Sequence, residues 1–526
     1  MIRPFYSPGS GLSMNFLNHF PSHITPRELQ RKALQALSEN WDDFDIFVID
    51  APVGSGKSAL AMTISSAVSS AHVITPRKGL QLQYKQEYKQ DVSLMMGRTN
   101  YPCFWNNPKP ENEERAFSLI MEDKPATHLS PRHCGGDYVP CKSSRVKQKC
   151  AELRECPFVS AVIKSQQHPV VVHNTSSFFF HTSMGDKFDL RDVVIVDEAH
   201  NLEGSLRDIE TRKYKVMEKY FPTTELTVPQ AQDYLLGYGQ DTLNGEELES
   251  YKASILSINP TNTVVRLKPE TNEVEFVPLN VHWAFAGYVQ AWGRKVVLMS
   301  GTVLDINKFC SSLGINRTRV HYQRIPTDFP VANRPIRLPK NATVNMSYQS
   351  FQNPETKEKA AKIIQYILGK MPLAKGVIHA PSYDLMSFVQ GLDDRIVVAR
   401  KGFVEQDIAA FKASKEPLVL CSPAVTEGYD FPEDAARFQI IMRIPYPGLS
   451  DPFIVLKKEQ DYSWYLLQTC ITFCQQLGRV VRSRTDFGIT FLLDSRFAGF
   501  IASNRAYLPA DLVSSAVDQR PFSDFS

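Results

Sequence analysis

Residues able to do chemistry gather at three points of the chain. The first is Asp50 to Ser58, which reads D-A-P-V-G-S-G-K-S between a short apolar run and a helix-forming segment. Strand, glycine-rich turn and helix is the setting of a phosphate-binding loop. Gly54 and Gly56 let the backbone curl, so that Pro52, Val53, Gly54, Ser55 and Gly56 can wrap an anion in front of a helix N-terminus. Lys57 would reach the β- and γ-phosphates of ATP, and the Ser58 hydroxyl would hold Mg²⁺. The pattern opens on Ala51 rather than glycine, still a small residue. The second point is Asp197-Glu198, at the end of D-V-V-I-V-D. Asp197 can hold the same Mg²⁺, and Glu198 can orient or deprotonate an attacking water. The third is Q-Q-L-G-R-V-V-R, residues 475–482. Arg479 and Arg482 share one helical face there, and two fixed guanidiniums can stabilise charge on a γ-phosphate in the transition state.

Positioning these groups needs strands and helices in alternation. Apolar runs at 44–49, 72–75, 169–173, 192–197 and 295–300 read as buried strands, with helices expected at 25–37, 58–65, 76–90 and 174–180. Thr25, followed by proline and three residues later by Glu28, is the expected N-cap of the first helix. Residues 330–339 look like a proline-rich linker. Beyond it the alternation restarts, with strands at 376–380, 395–399, 417–421, 438–442 and 488–493 and helices at 356–368, 383–392, 404–413 and 464–477. Two such series predict an α/β protein of two doubly wound parallel-sheet domains with a cleft between them. Two stretches break the pattern. Residues 97–164 are rich in cysteine, proline and basic residues; 201–279 is expected to be helical at 214–220, 231–236 and 246–256, then to form a hairpin of 264–267 against 274–277.

Composition is that of a globular protein: 526 residues, 43% hydrophobic, 22% charged, net charge +3. That charge balance leaves any nucleic-acid surface to local patches. No apolar run reaches the ~18 residues of a membrane span, and the first residues lack the apolar core of a signal peptide. A cytoplasmic protein with no membrane partner is expected, nuclear in a eukaryotic host. Five of the nine cysteines fall within residues 103–156, which in a reducing compartment points to a metal site rather than disulfides. Cys310, Cys421, Cys470 and Cys474 read as core.

In joint presence and order, the motifs resemble those of superfamily 2 helicases, and more narrowly the XPD/DinG-type iron–sulfur DNA helicases. The resemblance covers about Thr25 to Arg496. T-P-R-E-L-Q (25–30) is similar to the segment contacting the adenine end of the nucleotide, which implies roles for Arg27 and Gln30. A-P-V-G-S-G-K-S (51–58), I-T-P-R (74–77), D-E-A-H (197–200) and S-G-T (300–302) resemble motifs I, Ia, II and III. H-A-P-S-Y (379–383), T-E-G-Y-D-F (426–431) and Q-Q-L-G-R-V-V-R (475–482) resemble motifs IV, V and VI. Gly428 and Asp430 would then couple nucleotide state to DNA grip, and Gln475, Arg479 and Arg482 would face the nucleotide.

The family places a cluster-binding insertion between motifs Ia and II. The resemblance therefore implies a 4Fe–4S cluster on Cys103, Cys141, Cys150 and Cys156, with Cys134 an alternative to Cys141. A Cys₄ zinc site is the rival, although zinc favours closer pairs. Lys142, Arg145, Lys147, Lys149, Arg154 and Lys164, interleaved with Tyr101, Phe104, Trp105, Tyr138 and Phe158, would hold single-stranded DNA by charge and stacking. The implied fold is two RecA-like domains. The first comprises 1–98, 165–204 and 282–332, interrupted by an iron–sulfur domain (99–164) and a short arch-like insertion (205–281); the second is 333–526. The implied activity is ATP-dependent 5′→3′ translocation of a monomer on single-stranded or forked DNA, with unwinding. The alternatives are a translocase that strips proteins from nucleic acid without unwinding and a nucleotide-gated DNA-binding module without turnover.

Overall fold

The structure, a computed structural model, describes residues 14–52, 54–97, 100–101, 157–183, 188–338, 343–426 and 429–515. The chain forms two compact units: 1–51 with 55–301 and 307–325, and 52–54 with 302–306 and 326–526.

The first unit is built on seven parallel strands: β1 (Ile46–Asp50), β2 (Ala71–Thr75), β3 (Ser93–Met95), β4 (Val170–Asn174), β5 (Arg191–Val196), β9 (Gly293–Ser300) and β10 (Val320–Arg324), in the order β10-β1-β9-β5-β2-β4-β3. β1 and β2 are buried along their whole length, as expected of parallel strands covered on both faces. Helices α1 (Glu28–Asn40), α2 (Lys57–Ala67) and α3 (Lys78–Tyr88) follow the expected segments closely. Leu34 and Leu37 of α1, Leu60 and Ile64 of α2 and Tyr84 of α3 close one core with Phe47, Ile49 and Val73. Trp41 stacks on Phe47 at 4.9 Å.

The strand order brings the carboxyl ends of β1, β9 and β5 side by side. Asp50 pairs with Ser300, and Val196 with Leu298. In open parallel sheets that edge is where ligands bind.

On the far side of the sheet lies a buried histidine pair. His72 Nδ1 and His173 Nε2 are 3.0 Å apart, and His72 Nε2 is 3.1 Å from the Asp189 carbonyl oxygen. Phe178 and Phe188 enclose the His173 ring at 4.9 and 4.8 Å.

Within this unit, β6 (Arg212–Lys215), β7 (Thr263–Lys268) and β8 (Glu273–Pro278) form an antiparallel sheet in the order β6-β8-β7. Helices Val228–Thr242 and Gly245–Leu256 lie in the same segment. Its core is its own: Tyr214, Leu235, Ile255, Val274 and Phe276. The expected hairpin is present. The helix expected at 214–220 is not. Arg212–Lys215 is an edge strand with one inward residue, Tyr214, followed by a single 3₁₀ turn at Glu218–Tyr220.

The second unit carries six parallel strands: β11 (Ile336–Arg337), β12 (Gly376–His379), β13 (Ile396–Val398), β14 (Val419–Cys421), β15 (Phe438–Ile441) and β16 (Ile489–Leu492), in the order β11-β16-β15-β12-β14-β13. The expected linker therefore contains a strand: Ile336 and Arg337 pair with Thr490 and Phe491. Cys421 and Cys470 are core residues as expected, and Cys474 packs against the same core as Cys470. Burial pushes the Cys421 and Cys470 thiols up to about 12.

Two further expectations change. The N-cap of α1 is Arg27 rather than Thr25, and its N–H donates to Gln30 Oε1 at 2.9 Å. Tyr101 and Phe158, expected among exposed stacking aromatics, are buried with their rings 5.7 Å apart. The Tyr101 hydroxyl accepts from the Met96 N–H at 3.1 Å.

Candidate active site

The phosphate-binding loop leaves β1 and enters α2 through two residues in the left-handed region, Gly54 (φ 76°) and Gly56 (φ 81°). At Gly56 a Cβ would run into the Gln30 side-chain amide. Gln30 itself is buried. Its Nε2 donates to the carbonyls of Ser55 at 3.0 Å and Gly56 at 3.4 Å, while its Oε1 caps α1. One side chain thus ties the start of α1 to the loop.

Lys57 is the first residue of α2 and is buried. Its Nζ donates to the Ala51 carbonyl at 3.4 Å and lies 3.4 Å from Glu198 Oε1. Glu198 sits one residue past Asp197 with φ 52°. For a residue with a Cβ that conformation costs ~1–3 kcal/mol and turns up where function demands it. Asp197 is buried; its Oδ1 accepts from the Glu198 N–H at 2.9 Å and its Oδ2 from the Tyr84 hydroxyl at 3.3 Å. Burial, reinforced by the Glu198 charge, raises the Asp197 carboxyl to about 6. Between the two strand ends, His200 Nδ1 is 2.9 Å from Ser300 Oγ and 3.5 Å from Glu198 Oε2.

These residues fit a magnesium nucleotide. Two left-handed glycines curl the loop, and at Gly56 the Gln30 amide leaves no room for a Cβ. The Ser55 hydroxyl is buried with no partner among the described residues. A hydroxyl (Ser58), a carboxylate (Asp197) and a cation (Lys57) supply the donor set such a ligand uses. When bound, the ion would neutralise phosphate charge.

In the second unit, Gln475 lies on the helix Tyr462–Leu477 and is buried; the helix ends there, so Arg479 and Arg482, expected to share one helical face, lie beyond it on irregular chain. Arg479 Nη1 is 3.3 Å from Asp430 Oδ1, and the Arg482 guanidinium pairs with the same carboxylate. The Arg482 N–H donates to Asp486 Oδ2 at 3.0 Å. Sequence reasoning assigned all three residues to chemistry without foreseeing that Asp430 would join the two arginines. His379 of β12, next to these elements, is locked to Gln439 at 2.9 Å, and Gln439 to Thr490 at 2.8 Å.

The expected residues thus fall in two groups: Gln30, Ser55, Lys57, Ser58, Asp197 and Glu198 in the first unit, and Asp430, Gln475, Arg479 and Arg482 in the second. Arg27 marks the start of α1. Val53, Gly428 and the cluster cysteines Cys103, Cys134, Cys141, Cys150 and Cys156 lie outside the described residues. Tyr84 had no role in the sequence reading. Asp197 lies 113 positions from it, and no local pattern connects the two.

A phosphate-binding loop and a buried acidic pair on neighbouring strand ends of an open parallel sheet define a P-loop nucleotide-binding protein. Residues 364–512 match the helicase C-terminal domain family, and 23–227 the type III restriction enzyme res subunit family. A regulator of telomere elongation helicase 1 homolog of Anopheles gambiae is 25% identical over 280 residues, 44% of this chain and 27% of that protein. The Fanconi anemia group J protein homolog of Gallus gallus is 24% identical over 277 residues, 44% of this chain and 22% of that protein. The matches thus span about a quarter of these relatives' length. Among solved structures, an XPD helicase superposes with a TM-score of 0.62 at 15% identity, covering 92% of this chain and 98% of that one. Xpd4 of S. tokodaii gives 0.56 at 13%, covering 92% and 98%. Its fold is that of the XPD helicases it superposes on, and its two parallel sheets are RecA-like. Among the described residues no helix is long and apolar enough to cross a membrane.

Proposed function

We propose that the chain is an ATP-dependent DNA helicase that translocates 5′→3′ on single-stranded DNA. The observation that carries this is the meeting of Lys57 with Asp197 and Glu198, from loops after β1 and β5, on one edge of the sheet. In this reading the loop backbone and Lys57 hold the phosphates, and Ser58 and Asp197 hold the magnesium ion. Glu198, released from Lys57 by the nucleotide, takes the proton of the attacking water. Arg479 and Arg482, held by Asp430 before turnover, supply positive charge to the transition state, with Gln475 positioning the water. Gly428 and Asp430 link this chemistry to the DNA.

A cavity of about 380 Å³ lies past the carboxyl ends of β2 and β4, lined by Lys78, Gln81, Gly97, Asn100, Asn174, Ser176, Ser177, Phe180 and His181. Resemblance assigns a 4Fe–4S cluster to Cys103, Cys141, Cys150 and Cys156, and the domain ranges 99–164 and 205–281 to the cluster and arch-like insertions. The small size of the latter, one three-stranded sheet and two helices, favours a second reading: translocation that displaces bound proteins without processive unwinding.

The test is single-strand-stimulated ATP hydrolysis beside unwinding of forked duplexes with 5′ or 3′ tails. Hydrolysis and opening of the 5′-tailed fork support the helicase. Hydrolysis without opening leaves the translocase. ATPase that is indifferent to DNA refutes both. Iron content and visible absorption of anaerobically purified protein decide between cluster and zinc.

A further inference from the structure

α3 presents two tyrosines one turn apart, Tyr84 and Tyr88, with ring centroids 6.1 Å apart and both side chains buried. The Tyr84 hydroxyl reaches one of the side chains assigned above to the divalent ion: it donates to Asp197 Oδ2 at 3.3 Å, and the Glu198 N–H occupies Oδ1. Each oxygen of the carboxylate thus has one fixed donor and keeps a lone pair for another partner.

Core packing alone would be served by phenylalanine at position 84. Phenol is the right donor for an ion's carboxylate. Unlike lysine, it brings no charge to compete with the ion.

Resting on the ATPase reading, we propose that Tyr84 is a positioning residue for the divalent-ion site: it fixes the Asp197 carboxylate and itself touches neither nucleotide nor metal. Partners behind metal ligands are worth about 10- to 100-fold in metal affinity or activity.

The test uses full-length protein and the Tyr84→Phe variant, which keeps the ring. Binding of a fluorescent, non-hydrolysable ATP analogue is measured in EDTA and across a Mg²⁺ titration, and Mn²⁺ binding to the nucleotide complex is followed by electron paramagnetic resonance. Tyr84→Phe should leave affinity in EDTA unchanged and raise the half-saturating Mg²⁺ and Mn²⁺ concentrations at least about 10-fold. A metal dependence within two-fold of wild type overturns the proposal. Wild-type protein that binds no nucleotide overturns the ATPase reading instead. Adding Tyr84→Phe to Asp197→Asn should change metal affinity no further. A further loss means Tyr84 acts by packing and refutes the assignment, as does equal weakening of nucleotide binding in EDTA.

Discussion

Acid should loosen the first unit through His72 and His173. Both are buried on neighbouring strands β2 and β4. Burial, with the Arg191 charge beside it, lowers His72 to about 3, and burial with the charges of His72, Arg191 and His181 takes His173 well below the usual histidine range. In the folded chain both rings stay neutral in mild acid, whereas in the unfolded chain they protonate near pH 6.5. The unfolded state therefore binds more protons below that pH, and stability rises with pH. It is fully present above about 6.5 and is lost as pH falls toward the folded-state values. At pH 5 each ring has cost about 2 kcal/mol, and the pair about 4 kcal/mol, from 1.36 kcal/mol per pH unit. The assay is urea unfolding at several pH values between 4 and 7, read by the fluorescence of Trp41, which shares a core with β2 and β4. Of the slope of stability against pH below 6, the pair should supply about 3 kcal/mol per unit at most. His173→Gln, which keeps a donor for His72, should remove roughly half of that contribution whatever it does to absolute stability. An unchanged slope would refute the reasoning.

Four other outcomes are expected. Glu198→Gln should retain ATP binding, since Lys57 and the loop are intact, and lose about 10²–10⁴-fold in hydrolysis rate, measured by phosphate release. Gly56→Ala, forced to φ 81° and against Gln30, should abolish nucleotide binding by calorimetry. Gly79→Ala, where a Cβ meets nothing within 4 Å, should leave binding intact and stabilise α3 by about 0.5–1 kcal/mol. Phe276→Ala should cost about 3–5 kcal/mol in the core of the small antiparallel sheet. It should strip hydrogen-exchange protection from residues 212–278 while ATP binding by the first sheet persists.

Much of this architecture is legible in the chain, and the failures share a cause. Fully apolar runs such as F-V-I at 47–49 and V-V-V at 170–172 announce buried parallel strands, and the glycines with Lys57 fix where α2 begins. What fails is whatever depends on a neighbour. R-K-Y-K at 212–215 carries one inward residue and three outward, so its strand character comes from pairing with β8. Ile336–Arg337 sits between prolines and is a strand only because β16 lies beside it. V-H-Y-Q-R at 320–324 shows no apolar run, and its pairing with β1 supplies the edge. The site divides in the same way. Lys57, Ser58, Asp197 and Glu198 advertise their chemistry by type and spacing. Tyr84 looks like part of the apolar face of a helix, and only the packing of α3 shows that its hydroxyl meets Asp197.

The small antiparallel sheet has one more implication. Its entering strand β6 pairs directly with its leaving strand β8, Arg212 facing Phe276, so the chain departs from and returns to the α/β unit through a gap about 5 Å wide. Just before the gap, the Arg207 guanidinium donates to the Pro278 carbonyl at 3.2 Å, pinning both ends to one helix. An insertion with adjoining ends imposes almost no loop-closure entropy on its host. The module can be lengthened, shortened or exchanged as a cassette without disturbing the register of β5 and β9. Variation can therefore accumulate in this module while the nucleotide site stays fixed.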